Sequence, residues 1–244
     1  MFYKIKPMLF VLLLASLLVA CATPATAVPT YVPIVATAVP AIPVNQITIP
    51  VGEGEEDVKA TIIGNGDIAV VMHKTIYDTD TMSRWTPLID SLSANEKLRM
   101  VLYTLRNVAG SDIHDASSPD KDSNAVFDYL RSEGINKIIC ISAGLPSVCA
   151  DLQNEPEMIG LVAFPPEYVV SIEAGFPKLF ITAETEPNGW SGNLQQTYEN
   201  SAEPKTFKSY PVAVAGPVIF INADVGPQAL ADVTDFINGI VNSQ

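Results

Sequence analysis

Apolar and polar positions between Val58 and Val241 follow two rhythms. Short apolar runs read as strands: Val58–Ile63, Ile68–Met72, Met100–Leu105, Lys137–Ile141, Ile159–Phe164, Lys178–Ala183 and Thr206–Tyr210. Longer stretches between them place apolar residues three and four apart. In Arg84–Ala94 these are Trp85, Leu88, Ile89 and Leu92, the spacing of one helical face. Ser123–Glu133 reads as a second helix, with Ser123 able to cap its start and Gly134 able to stop it. Leu145–Leu152, Gly192–Asn200 and Pro227–Val241 complete the predicted helices. Ile68–Met72 is apolar at every position, as in a strand covered on both faces. Gly64-Asn65-Gly66 reads as a turn between strands. Alternation of this kind predicts an α/β domain, with a mainly parallel sheet flanked by helices on both faces.

The N-terminal region follows neither rhythm. Lys4 and Lys6 precede an uncharged, Leu-rich run from Met8 to Ala20, which is too short to span a bilayer and has the length of a signal-peptide core. It ends in Leu18-Val19-Ala20-Cys21, which resembles the lipobox of bacterial lipoproteins. The resemblance implies cleavage of residues 1–20 as a signal peptide, with lipid on Cys21 as the membrane anchor. Each buried methylene of such an anchor contributes about 0.8 kcal/mol. Ala22, in place of an aspartate, implies the outer membrane in a two-membrane cell and the outer face of the membrane in a one-membrane cell. Residues 22–50 carry six prolines and no charge, so residues 21–50 are expected to be a lipidated, semi-rigid spacer of polyproline II character. Its last part, Ile47–Val51, could add an edge strand. Residues 51–244 are then the domain.

Charge narrows the partners. The formal charge is −13, and removal of residues 1–20 takes away two lysines and no acid, leaving −15. Nucleic acid is excluded as an expected partner, because its phosphates would be repelled. The expected partners are the membrane, through Cys21, and a small ligand or protein. Cys140 and Cys149 lie in an apolar strand and the helix after it, and are expected to be buried free thiols. Asp78, Asp80 and the acids from Asp112 to Asp122 are expected to be solvated loop carboxylates, a calcium site in Ser117–Asp122 being the alternative. No cofactor is expected. No cluster has metal-ligand spacing, and the Gly64 turn is too short to cradle phosphate.

Six segments resemble the α/β-hydrolase fold, in its order. Ile68–Lys74 is similar to the strand ending in His-Gly before the oxyanion loop, and Trp85-Thr-Pro-Leu to the start of the first helix. Tyr103–Asp112 resembles the D-L-R-G-H-G-x-S-D loop, and Gly134–Ile141 the strand entering the nucleophile elbow. Lys178–Pro187 resembles the strand and acid loop, and Tyr210–Gly216 the final loop that carries the catalytic histidine. The interval from Phe164 to Lys178 is too short for the lid that many members insert.

The resemblance implies a serine hydrolase, yet its chemistry is degenerate here. The elbow reads Ile141-Ser142-Ala143-Gly144-Leu145, which puts Ala143 at the nucleophile of G-x-S-x-G. A shift of one residue offers Ser142 instead. Ala215 stands where the histidine belongs. Glu186 matches the acid. His73 matches a structural histidine of the oxyanion loop, and His114 is expected to be a solvated loop residue. Amides at Gly144 and near Thr75 would remain of the oxyanion hole. The expectation is a non-catalytic, lipid-anchored hydrolase homologue. The alternative is an active esterase or peptidase with Ser142 as nucleophile, Glu186 as acid and a non-standard base.

Overall fold

The structure is a computed structural model that describes residues 42–73, 81–106, 118–144 and 147–244, with the side chains of Thr81, Met82, Ser118, Pro119 and Ser147 excepted. The signal run, Cys21, Thr75, Asp78, Asp80, His114 and Leu145 lie outside the described residues.

The strands are β1 (Val44–Ile49), β2 (Val58–Ile63), β3 (Ile68–His73), β4 (Leu98–Thr104), β5 (Ile138–Gly144), β6 (Met158–Pro166), β7 (Lys178–Ala183) and β8 (Lys205–Tyr210). The α-helices are α1 (Thr81–Leu92), α2 (Ser118–Ser132), α3 (Ser147–Ala150), α4 (Ser191–Asn200) and α5 (Gly226–Asn242), with a 3-10 helix at Gly216–Ile221. One eight-stranded sheet has the order β1-β2-β4-β3-β5-β6-β7-β8. β1 and β4 each pair antiparallel with β2, and the sheet is parallel from β4 to β8.

The buried runs explain this placement. β3 is buried at every residue and lies inside the sheet, as a strand without a polar face must. Its neighbours alternate between two cores. One gathers Val126 and Leu130 of α2, Val148 of α3 and Leu194 of α4. The other gathers Trp85, Leu88 and Leu92 of α1 with Val233 and Ile237 of α5. The Gly64–Gly66 turn joins β2 to β3 across β4. A Cβ on Gly66 would come within 2.1 Å of the Lys97 backbone, so only glycine lets the crossover pass.

Four expectations change. The edge strand begins at Val44, before Ile47. Helix α2 begins at Ser118, so Ser123 is internal to it and not its cap. The reason is tertiary: Ser123 Oγ bonds the Tyr103 hydroxyl at 2.9 Å inside the core. Asp122, expected in a solvated loop, is wholly buried in α2 and accepts from the Arg106 backbone N–H and guanidinium. Burial pushes its carboxyl above the ordinary value against the pull of Arg106. Finally, Cys140 and Cys149 form a disulfide, where free thiols were expected. Where β5 and α3 lie side by side their Cα atoms come to 5.9 Å, within bridging range.

Candidate functional site

In open parallel sheets, sites form beyond the carboxyl ends of the strands. Here β5 ends at the elbow, and the period of two along a strand decides where its side chains go. Ile139, Ile141 and Ala143 join the core with α1 and α5, whereas Ile138 and Cys140 join the opposite core. Ser142 shares that opposite side. It is 4% exposed and borders a void of about 10 Å³ among Cys149, Leu161, Ala163, Val170 and Leu194.

The turn itself falls one residue later than the sequence alignment put it. The left-handed backbone belongs to Gly144, with φ +84°. A side chain there would cost backbone strain in most contexts. Space is available nonetheless: a Cβ on Gly144 would meet only the Trp190 ring, at 3.8 Å. The Gly144 carbonyl accepts from Glu167 N–H at 2.9 Å, which fixes the strand end.

Ala143 and Gly144 open instead on a cleft of about 70 Å³, lined with Arg84, Glu186, Asn188, Trp190 and Ala215 among others. Small-molecule pockets commonly hold about 300–1,000 Å³, so this cleft fits a few heavy atoms or one inserted side chain. Glu186 is buried and tied into its own loop. One carboxylate oxygen accepts from Asn188 Nδ2 at 2.8 Å and the other from Trp190 N–H at 2.9 Å. These bonds fasten the turn at the start of α4. Ala215 precedes the 3-10 helix, in extended backbone, and its methyl offers no acid–base group. His73 is buried beneath the elbow, where its Nε2 accepts the Ala143 N–H at 3.3 Å.

The structure therefore brings Gly144, Glu186 and Ala215 to one cleft, and sets Ser142 on the other side of the sheet. Sequence reasoning missed Arg84, Asn188 and Trp190 as cleft residues. A usable signal for two of them is proximity, since Asn188 and Trp190 stand two and four positions after Glu186. Among the described residues no group of three or more His, Cys, Asp or Glu side chains is placed to hold a metal ion. No described helix is long and apolar enough to cross a membrane.

No family model matches the chain, and no curated protein sequence matches it. Solved structures do. The esterase LipW from Mycobacterium marinum superposes with a TM-score of 0.64 at 10% identity, over 82% of each chain. Mouse alpha/beta hydrolase domain-containing protein 10 gives 0.63 at 7% identity, over 80% of this chain and 99% of its own. An esterase of Pyrococcus furiosus gives 0.61 at 15% identity, over 81% and 92%. At these identities the likeness speaks for architecture, and together with the sheet order and the elbow it establishes that this chain has the α/β-hydrolase fold.

Proposed function

We propose that the chain is a lipid-anchored, extracytoplasmic protein whose hydrolase-fold domain binds a ligand or a protein segment in the Gly144 cleft without turning it over. One observation carries the reading: the elbow's left-handed residue is glycine. The nucleophile position of the fold is Gly144 on this reading, with Ser142 and Pro146 as its flanking small-residue positions. A hydrogen atom then stands where a nucleophile would project. Ala215 supplies no base, and the Glu186 carboxylate is engaged by Asn188 and Trp190. Loss of one triad member typically lowers turnover by several powers of ten, and this cleft lacks two.

Hydrolysis by Ser142 with Glu186 is disfavoured, because their side chains border different cavities. Binding is supported by the cleft's lining, which combines the Trp190 ring with the polar groups of Arg84 and Asn188. Export is supported by the Leu18–Cys21 motif and, independently, by the Cys140–Cys149 disulfide, since such bonds persist mainly outside the reducing cytoplasm. Labelled palmitate should enter the wild-type protein and not the Cys21→Ala variant; equal labelling would remove the anchor from the proposal.

The register is tested by reversion. Gly144→Ser combined with Ala215→His should give measurable hydrolysis of a p-nitrophenyl ester. Ala143→Ser with Ala215→His should give none. The opposite pattern, in folded variants, would return the nucleophile position to Ala143.

A further inference from the structure

The sheet has two outer strands, and they differ in how they are protected. β8 carries Lys205 and Lys208, and charged side chains are a common defence of a sheet edge. Lys205 is further held by the carbonyls of Tyr198, Glu199 and Ser201 at the end of α4. β1 reads Val-Asn-Gln-Ile-Thr-Ile, with no charge, and four of its six residues are exposed. Val44 is 60% exposed and Ile42, just before the strand, 37%. These are large apolar side chains on a chain whose formal charge is strongly negative.

We infer that β1 is an interaction surface for a second copy of this chain, paired strand to strand in antiparallel sense. A two-fold pair is self-complementary, since each copy offers the other the same backbone donors and acceptors. Charge selects both the occupant's strand and its direction. Two chains of −15, the charge left after removal of residues 1–20, repel in general, but opposing β1 strands would set only Asn45, Gln46, Thr48 and apolar residues against each other. The exposed segment Gly52–Asp57, which follows β1, contains Glu53, Glu55, Glu56 and Asp57. Parallel pairing would lay the two acidic segments side by side. Antiparallel pairing puts them at opposite ends of the strand pair, about 20 Å apart for strands of this length. That exceeds the screening length of roughly 8–10 Å at ordinary salt.

The surface continues past the strand. A groove of about 430 Å³ runs between Ile49–Val51 and the α2 face that bears Asn124, Asp128 and Tyr129. In an antiparallel pair centred on Gln46, which then faces its own copy, the partner's N-terminal strand end passes this groove. The partner's Ile42 and Val44 are then the apolar groups nearest to it, so pairing would cover both exposed side chains and the groove together.

The test uses the full chain in detergent micelles, with its mass followed by sedimentation equilibrium over a roughly hundredfold concentration range. The expected result is a mass of two copies per particle at high concentration. Gln46→Lys with Thr48→Lys should lower that mass about twofold while the thermal melt is retained. Thr206→Lys on β8 should leave it unchanged. A separate readout does not depend on the charged variant folding: Gln46→Cys should form a covalent dimer on oxidation, and Ser209→Cys should not. A one-copy mass at every concentration would overturn the proposal. So would a dimer that survives the β1 lysines, or a failure of Gln46→Cys copies to cross-link.

Discussion

The two sides of β5 lead to different places, although their residues alternate within one short strand. On one side, Cys140 and Ser142 face a nearly filled interior closed by the disulfide to α3. On the other, buried Ala143 and half-buried Gly144 meet Glu186, Trp190 and Ala215 across a cleft. The serine that suits a nucleophile lies on the closed side, and the open side offers only a methyl group and a hydrogen. Side-chain direction, more than residue type, therefore decides what this elbow can do. A one-residue change of register along a strand moves a side chain to the other face.

The largest expected effect tests the closed side. Replacing Cys140 and Cys149 together by serine should lower stability by about 2–3 kcal/mol, as for a bridge closing a loop of this length. Urea unfolding with and without reductant would measure it, and an unchanged midpoint would mean that α3 is held by packing alone. Next comes the open side. Glu186→Ala should cost about 1–3 kcal/mol, because Asn188 and the Trp190 amide lose their acceptor. Glu186→Gln should cost much less. If both variants unfold like the wild type, the carboxylate is not fastening the α4 turn.

A smaller effect concerns Asp120, on α2, and Asp151, just after α3. Burial, and secondarily the charge of Asp151, raise the Asp120 carboxyl above its ordinary value. The folded chain therefore binds this proton more readily than the unfolded chain. The contribution of Asp120 to stability is most favourable at acid pH and is lost as pH rises through its raised value. Asp151→Asn should raise the melting temperature near neutral pH and change it less in acid; a pH-independent difference would contradict this. The smallest effect is expected for Ser142→Ala, a loss of about 1 kcal/mol or less for one hydroxyl in the interior. The same variant should leave ester hydrolysis at the wild-type background.

These comparisons also explain what was legible in the sequence. Element types were readable wherever burial is periodic, as in Ile68–Met72, or in Trp85, Leu88, Ile89 and Leu92 of α1. The order of motifs was enough to indicate the fold. Boundaries failed where polar residues serve distant partners: Ser123 looked like a helix cap because nothing local reveals its bond to Tyr103. Likewise Asp122 looked solvated because Arg106 is brought to it only by the fold. The disulfide is not legible because it depends on how β5 and α3 come together in the fold.

Gly144, Glu186 and Ala215, which the motifs single out, line one cleft, but the register of the elbow is not legible in the sequence. Laying Ile141–Leu145 on G-x-S-x-G puts the turn at Ala143, with large residues at both flanking positions. The physical cue was Gly144, the residue of that stretch best able to adopt a left-handed backbone.

On the function proposed above, this hydrolase-fold cleft has no working nucleophile. Labelling of the wild-type protein with a fluorophosphonate, which reacts with activated serines, tests it most directly. The expected result is no labelling above that of heat-unfolded protein. Robust labelling that disappears in Ser142→Ala would contradict the account.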